Sequence, residues 1–202
     1  MMVNILIAED QTILREALTS LLNLEEDLNV VETVGTGQQV LDYHNNPSID
    51  LYLLDIEMPH RNGLEVAKIL KERKPSHKVV LLTTFSRSGY IEKAIELGVD
   101  GYLLKDEPIE QLIQSIRRVL NGEKVVSSML GDLIFSLERN PLNNREIEML
   151  RRVKNGESTK DISKNCHLSL GTVRNYLSTA MQKLDTTTRH DALRIAEERG
   201  WI

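Results

Sequence analysis

Two patterns of apolar residues divide the chain. Through the first half, short runs of Val, Ile and Leu alternate with stretches in which apolar residues recur at helical spacing. Such runs separated by single amphipathic helices are typical of βαβ crossovers in a parallel sheet that is covered on both faces. The predicted strands are VNILIA (3–8), NVVETV (29–34), DLYLLD (50–55), KVVLLTT (78–84) and DGYLL (100–104). The predicted helices span about 12–24, 37–45, 62–73, 87–96 and 108–120.

After Gly122 the strand pattern gives way to helices. Residues 122–139 hold one short helical pattern, at about 128–138, and the following Asn140-Pro141 is a break, which indicates a linker. Four amphipathic helices are then predicted at about 144–154, 159–166, 170–184 and 189–199. Their starts carry capping residues, which are Asn143 with Glu146, Ser158 with Asp161, Ser169, and Thr188 with Asp191.

The sequence therefore predicts two domains of different class. Residues 1–121 form a doubly wound α/β domain with a five-stranded parallel sheet, for which the flavodoxin-like strand order 2-1-3-4-5 is expected. Residues 140–202 form a smaller all-α domain, joined to the first by the linker 122–139.

Composition narrows the class of protein. With 41% hydrophobic and 27% charged residues, the chain is expected to be a soluble globular protein, and its early apolar run ILIA is too short to span a bilayer. We expect a cytoplasmic protein that is not embedded in a membrane. The lone Cys166 excludes an internal disulfide framework. Net charge is −7 over residues 1–122 (12 Lys+Arg, 19 Asp+Glu) and +2 over 123–202 (13 Lys+Arg, 11 Asp+Glu), which weakly favours polyanion binding by the second half.

Polar groups follow four predicted strands at the same end. Glu9 and Asp10 follow the first strand, Asp55 ends the third, Thr83 lies at the end of the fourth, and Lys105 follows the fifth. Ligands of open parallel sheets bind beyond the carboxyl ends of the strands, so these groups are expected to converge. Crowded carboxylates repel one another unless a cation lies between them, and a hard divalent ion such as Mg²⁺ prefers oxygen ligands.

This arrangement suits phosphoryl transfer. A carboxylate beside Mg²⁺ can attack a phosphoryl group, so Asp55 is predicted to be a phosphoryl acceptor. Thr83 could donate a hydrogen bond to a phosphoryl oxygen, and Lys105 could pair with another. The predicted metal ligands are Glu9, Asp10, Asp55 and the backbone carbonyl of Glu57.

Each of these residues also has a simpler interpretation. A single acid at a strand end more often lies in a solvated loop, and Tyr102 on the fifth strand is more often ordinary sheet packing than a switch. The joint pattern of acids, hydroxyl and lysine over four strand ends is what favours a site.

These motifs resemble a known family. The pieces AED, DIEMPHRNG, LLTT and GYLLK make residues 3–121 similar to the receiver domain of a two-component response regulator. The resemblance implies that Asp55 takes phosphate from a sensor histidine kinase, that Asp10 and Asp55 hold Mg²⁺ with Glu9 assisting through water, and that Thr83 and Tyr102 act as a switch. Two departures are that Lys105 is followed by Asp106 and Glu107 before Pro108, and that the acidic pair is Glu-Asp.

The helical half predicts a helix-turn-helix. A short helix, a tight turn at Cys166 to Ser169 and a longer helix from about Leu170 match that arrangement, in which the second helix enters the major groove of DNA. Val173, Leu177, Ala180, Met181 and Leu184 are expected to face the core.

The opposite stripe of this second helix supplies candidate contacts to double-stranded DNA. Arg174 and Asn175 are predicted base readers, because Arg pairs with guanine and Asn with adenine, and Ser178 lies on the same stripe. Thr172, Lys160 and Lys183 are predicted phosphate contacts. A polar stripe on a surface helix is more often only a solvated face.

Here too a resemblance favours the functional interpretation. The pieces REIEML, NGES, DIS, LSLGTVRNY and KLD with TRHDA are similar to the LuxR-type DNA-binding domain, which NarL-type (FixJ) regulators couple to a receiver. The AEDQ opening and TVRNY most resemble the DesR-like subset. The resemblance implies a homodimer on phosphorylation with a contact through the last helix, RNA polymerase as a further partner, and, by analogy, control of membrane-lipid or envelope-stress genes.

The resulting hypothesis is a phosphorylation-gated transcription factor. Phosphate on Asp55 would reorder the loop from Thr83 to Arg87, bias Tyr102 inward and favour dimers on DNA. Two alternatives stay open at this point: a phosphatase that uses Asp55 as a transient nucleophile, and a constitutive DNA-binding protein whose receiver serves only in dimerisation.

Overall fold

The structure is a computed structural model that describes residues 2–43, 49–84, 88–130 and 140–202. The chain divides into two compact units, one built around a β-sheet and one around the C-terminal helices. In the part of the chain that the structure describes, none of the helices combines the length and the hydropathy needed to cross a lipid bilayer.

The first unit contains a parallel sheet in the order β2-β1-β3-β4-β5-β6. Its strands are β1 (Val3–Ala8), β2 (Leu28–Val34), β3 (Leu51–Asp55), β4 (Lys78–Thr83), β5 (Gly101–Leu104) and β6 (Val125–Val126). The predicted doubly wound α/β class and the order of the first five strands are confirmed. The predicted number of five strands is wrong, since β6 extends the sheet.

The sixth strand lies within the stretch interpreted as a linker. Val125 pairs with Gly101, its amide donates to the Asp100 carbonyl at 2.9 Å, and the Ser127 amide donates to the Tyr102 carbonyl at 2.9 Å. A strand of two residues is too short to show a periodicity of its own, so only its pairing with β5 reveals it. The boundary at residue 121 stays a prediction, although β6 belongs structurally to the sheet.

Helices cover the sheet. They are α1 (Thr12–Leu22), α2 (Gly37–Tyr43), α3 (Gly63–Arg73), α4 (Ser88–Glu96) and α5 (Ile109–Leu120). Leu18 and Leu22 of α1 and Ile116 of α5 pack in one core cluster with Ile5 and Ile7 of β1. Because side chains alternate along a strand, Leu6, which lies between Ile5 and Ile7, points to the opposite face of the sheet. The predicted ends of α2 at 44–45 and the start of α4 at 87 lie outside the described residues.

One acid at the amino end of β5 is buried and heavily paired. The Asp100 side chain is 6% exposed, and its carboxylate lies 2.6 Å from Lys71 Nζ, 3.1 Å from Lys124 Nζ and 3.5 Å from Lys78 Nζ. The Val79 amide also donates to it at 3.0 Å. Burial by itself would raise the pKa of Asp100, but the hydrogen bonds from Lys71, Val79 and Lys124 outweigh it and lower the pKa.

The second unit contains α6 (Asn144–Lys154), α7 (Thr159–Asn165), α8 (Leu170–Lys183) and α9 (Arg189–Glu198). The four predicted caps are confirmed: Asn143, Ser158, Ser169 and Thr188 each accept a hydrogen bond from a backbone amide of the first turn. Trp201 and the apolar faces of the four helices form one core cluster. The predicted short helix at 128–138 begins with a 3₁₀ turn at Ser128–Leu130, and its remainder lies outside the described residues.

Candidate functional site

The strand order brings four strand ends to one edge of the sheet. β1, β3, β4 and β5 are adjacent and parallel, so the residues at their carboxyl ends share that edge. Glu9 and Asp10 follow β1, Asp55 ends β3, Thr83 ends β4 and Lys105 follows β5. The structure therefore places the five predicted groups on the same side of the sheet.

Three of these groups form a compact carboxylate cluster. Oxygen atoms of Glu9, Asp10 and Asp55 all lie within 4.8 Å of one another. Glu9 and Asp55 are buried, whereas Asp10 is exposed. Burial and repulsion from Asp55 raise the pKa of Glu9, and the hydrogen bond from Lys105 only partly offsets this. An oxygen-only donor set of this kind fits a hard divalent cation.

Lys105 joins two of the carboxylates. Its ammonium nitrogen lies 2.6 Å from Glu9 Oε2 and 3.1 Å from Asp55 Oδ2, and its side chain is only 6% exposed. Burial would lower the pKa of Lys105, but its hydrogen bonds and its attraction to Glu9 and Asp55 raise the pKa instead. Glu9 has one methylene more than an aspartate, so its carboxylate reaches farther from the backbone. This carboxylate forms the closer of the two contacts with the Lys105 ammonium.

The backbone around Asp55 is fixed by two close approaches. The Glu57 amide donates to Asp55 Oδ1 at 3.2 Å, so the backbone of Glu57 lies beside the acceptor while its side chain is exposed. A Cβ at Gly63 would lie 2.2 Å from the Asp55 carbonyl oxygen, so a larger residue would displace the end of β3. This role of Gly63 was not predicted from the sequence, where its place four residues after Pro59 is the available signal.

A second residue missed from sequence is Arg15. Its guanidinium donates to the Glu9 carbonyl at 2.5 Å and to the Asp10 carbonyl at 3.5 Å, so it holds the acidic loop against α1. A cation in the first turns of a helix that directly follows an acidic pair is the signal that could have identified it.

The predicted switch residues lie on two paired strands of the sheet, Thr83 at the end of β4 and Tyr102 in β5. Thr83 is 1% exposed, and its carbonyl accepts the Lys105 amide at 2.8 Å. Tyr102 is 2% exposed, so its ring already points inward. The predicted rearrangement covers the loop from Thr83 to Arg87, of which residues 85–87 lie outside the described residues.

In the second unit, α7, a turn and α8 form the predicted helix-turn-helix. His167 adopts a left-handed conformation with φ of 54°, the usual way to end a helix abruptly. The Leu168 amide donates to the Ser163 carbonyl at 3.0 Å, and the Ser163 hydroxyl donates to the Leu168 carbonyl at 2.6 Å. These bonds close the turn and fix the start of α8 at Leu170.

The two faces of α8 follow the predicted pattern. Val173, Leu177, Ala180 and Leu184 are buried, and Met181 is partly buried against the same core. The side chains on the opposite stripe that the structure leaves exposed are Arg174, Asn175 and Ser178. Thr172 is partly buried, and its hydroxyl lies 2.9 Å from that of Ser169.

The two predicted phosphate-contacting lysines differ. Lys160 on α7 is exposed. Lys183 lies 2.8 Å from the buried Glu146 carboxylate, whose oxygen also accepts the Asn143 amide in the cap of α6. Lys183 is thus tied to the helix cap and would have to leave Glu146 to reach a phosphate.

Comparison with known proteins decides the family. The family "Response regulator receiver domain" matches residues 5–117, and the family "Bacterial regulatory proteins, luxR family" matches residues 140–196. The chain belongs to the LuxR-type response regulators. Members of this class are transcriptional regulators and not enzymes in the usual sense, so the phosphatase alternative is set aside.

Full-length relatives share both halves of this regulator. The chain is 45% identical over 201 residues to the transcriptional regulatory protein DesR of Bacillus subtilis, covering 100% of both chains. It is 46% identical over 203 residues to the uncharacterized transcriptional regulatory protein YvfU of the same organism, again with 100% of both covered. The crystal structure of response regulator ChrA, from a heme-sensing two-component system, has a TM-score of 0.59 at 26% identity and covers 100% of this chain and 99% of its own.

Proposed function

We propose that Asp55 receives a phosphoryl group from a sensor histidine kinase, and that this modification increases sequence-specific DNA binding by α8. The observation that carries the proposal is the position of Asp55. Asp55 is the last residue of a buried strand, and its carboxylate belongs to the cluster with Glu9 and Asp10. It lies 3.1 Å from the ammonium of Lys105. A nucleophilic carboxylate beside a cation is what acceptance of a phosphoryl group requires.

The proposed cofactor is Mg²⁺. The carboxylates of Glu9, Asp10 and Asp55 and the backbone carbonyl of Glu57 would hold it. When bound, Mg²⁺ neutralises charge on the phosphoryl oxygens and orients them. The residues of the chain supply the rest: Lys105 pairs with a phosphoryl oxygen after it leaves Glu9, and the hydroxyl of Thr83 donates to another.

A direct test compares the unmodified and phosphorylated protein. Incubation with a small phosphodonor and Mg²⁺ should add one phosphoryl group and increase affinity for a specific DNA site by about 5- to 150-fold, the usual range of allosteric coupling. Mass spectrometry measures the modification and fluorescence anisotropy the DNA affinity. Phosphorylation without a gain in affinity would favour the alternative of a constitutive DNA-binding protein.

Asp10→Asn should weaken Mg²⁺ binding. The substitution removes a full charge from an exposed ligand while leaving the buried Glu9–Lys105–Asp55 group in place, so the fold should tolerate it. We expect the Kd for Mg²⁺ to rise by about 10- to 100-fold, measured by titration calorimetry. Asp106→Asn, an exposed acid in the loop after Lys105, is the control of equal charge. Equal Kd values for Asp10→Asn and the unaltered protein would remove Asp10 from the proposed ligands.

DNA recognition is proposed to rest on the exposed stripe of α8. Arg174 and Asn175 would read bases, Ser178 lies beside them, and Lys160, Thr172 and Lys183 would contact phosphates. Two copies on adjacent half-sites, about 34–36 Å apart for one helical turn of DNA, would provide the affinity that one domain with few cations lacks. We propose that the homodimer forms on phosphorylation through the receiver and the last helix, and that RNA polymerase is a further partner.

Arg174→Ala should lower affinity for the specific site by about 1–3 kcal/mol if Arg174 reads a base. Affinity for random DNA should fall less, because non-specific binding depends on phosphate contacts. Arg151→Ala is the matched control, since Arg151 is an exposed arginine on α6 and lies away from the stripe on α8. Electrophoretic mobility shifts on both DNAs at one salt concentration measure the effect. Equal losses on the two DNAs would make Arg174 a phosphate contact.

The proposed place of action is the cytoplasm, because the proposed target is DNA. Control of membrane-lipid or envelope-stress genes rests on the resemblance to DesR-like regulators alone. Mapping the genomic sites bound by the phosphorylated protein tests it, and sites confined to unrelated genes would contradict it.

A further inference from the structure

The loop that follows Lys105 is attached to the sixth strand. This loop joins β5 to α5 and contains Asp106, Glu107 and Pro108. The hydroxyl of Ser127, the residue directly after β6, donates a hydrogen bond to the Glu107 carboxylate. The two residues are 20 positions apart in the chain, and Ser127 is only 3% exposed. A buried hydroxyl on a carboxylate is a charge-assisted hydrogen bond, which is stronger than a neutral one.

Ser127 connects several segments. Its amide donates to the Tyr102 carbonyl of β5 at 2.9 Å, and its hydroxyl oxygen accepts the Met129 amide at 3.3 Å. Its carbonyl accepts the Leu130 amide at 3.0 Å. A single residue therefore links the loop after Lys105, the strand that carries Tyr102, and the 3₁₀ turn with which the segment toward the second domain begins.

Lys105 and Glu107 are joined by a short stretch of backbone. One residue separates them, so their Cα atoms are at most about 7.6 Å apart. The Lys105 amide donates to the Thr83 carbonyl at 2.8 Å, and the Glu107 amide donates to the Leu104 carbonyl at 3.3 Å. These two bonds fix the backbone of the loop on β4 and β5, so the loop joins the residue that contacts Asp55 to the residue that contacts Ser127.

We infer that Glu107 is a positioning residue for Lys105, and that its bond to Ser127 transmits a change at Asp55 to residues 125–130. The inference rests on the proposed function, because it needs a phosphoryl group on Asp55. It adds a route by which that group affects the segment leading to the DNA-binding domain. The route runs from Lys105 through Glu107 to Ser127.

The test uses the full chain with Mg²⁺ and either acetyl phosphate or beryllofluoride, a phosphoryl analogue. The variants are Glu107→Ala, Ser127→Ala, both together, and the conservative Glu107→Gln, whose amide oxygen can still accept from Ser127. Ser128→Ala is the matched control, since Ser128 is an exposed serine beside Ser127. Two quantities are measured: the rate of phosphorylation by acetyl phosphate, and the hydrogen exchange of the Leu130 amide with and without beryllofluoride.

In the unaltered protein, beryllofluoride should change exchange at Leu130 by at least about threefold, the lower range of coupling between residues in contact. Glu107→Ala and Ser127→Ala should each lose that response and slow phosphorylation by at least about threefold. The double variant should be no worse than either single one, Glu107→Gln should recover most of the rate, and Ser128→Ala should match the unaltered protein.

Three results separate the explanations. If the Ala variants only lower the Tm but keep the phosphorylation rate and the response at Leu130, the bond is purely structural and the inference is wrong. Additive losses in the double variant would also overturn it, because independent residues do not act through one bond. If the unaltered protein accepts no phosphoryl group and shows no response to beryllofluoride, the proposed function itself fails, and this inference fails with it.

Discussion

Asp55→Ala should abolish phosphorylation and, with it, the gain in DNA affinity. The carboxylate of Asp55 is the proposed nucleophile, and the substitution removes the atom that forms the bond to phosphorus. We expect no added mass after treatment with acetyl phosphate and Mg²⁺, and DNA affinity that is unchanged by that treatment.

Asp106→Asn should be phosphorylated like the unaltered protein, because Asp106 is exposed and outside the carboxylate cluster. Circular dichroism checks that Asp55→Ala is folded, since the substitution leaves Glu9 as the remaining partner of Lys105. If Asp55→Ala still gained DNA affinity after treatment with the phosphodonor, phosphorylation of Asp55 would not be what controls DNA binding.

Asp100→Ala should destabilise the protein by about 3 kcal/mol at neutral pH. Removing one member of a buried ionic group leaves its partners without compensation, which typically costs about 3–5 kcal/mol. The lower end applies because Lys78 and Lys124 are 30% and 59% exposed and can be solvated, whereas Lys71 is 12% exposed. Denaturant unfolding followed by circular dichroism measures the free energy. Asp106→Ala, the exposed control, should change it by less than about 0.5 kcal/mol.

The contribution of Asp100 should depend on pH in one direction. Because the pKa of Asp100 is lowered in the folded state, its stabilisation is fully present above the unfolded pKa of about 3.9. It is lost as the pH falls through the lower, folded value, where the carboxylate becomes protonated. The difference in unfolding free energy between the unaltered protein and Asp100→Ala should therefore shrink below about pH 4. A difference that stays constant into that range would mean that the carboxylate charge contributes little.

Much of the fold could be predicted because its signals are local. The apolar runs mark five strands, and the cap at Asn143 is a pattern of four consecutive residues. The sixth strand could not be predicted, since Val125 and Val126 carry no periodicity and are a strand only through their pairing with β5. The burial of Asp100 was missed for a related reason: its lysine partners lie in α3, at the start of β4 and just before β6.

The candidate site divides in the same way. Glu9, Asp55 and Lys105 converge because their strands are parallel and adjacent. Once the strand order is predicted from the sequence, it also predicts that these three residues lie near one another. The partner of each group does not follow from the order. Lys105 forms an ion pair with Glu9, and Lys183 forms one with Glu146 instead of extending into solvent. Both pairings depend on the length of the side chains and on the burial of the acids.

The sequence by itself determined the strands and helices, the sheet order, the family and the residues that could carry phosphoryl and DNA chemistry, because these follow from periodicity, capping and motifs within short segments. Only the tertiary structure decided how β5 is extended by Val125–Val126, which carboxylates hold Lys105, and how Glu107 reaches Ser127. Those features are contacts between residues far apart in the chain. The sequence allows several partners for each polar group, and the folded chain selects one of them by bringing it within bonding distance in a site that excludes water.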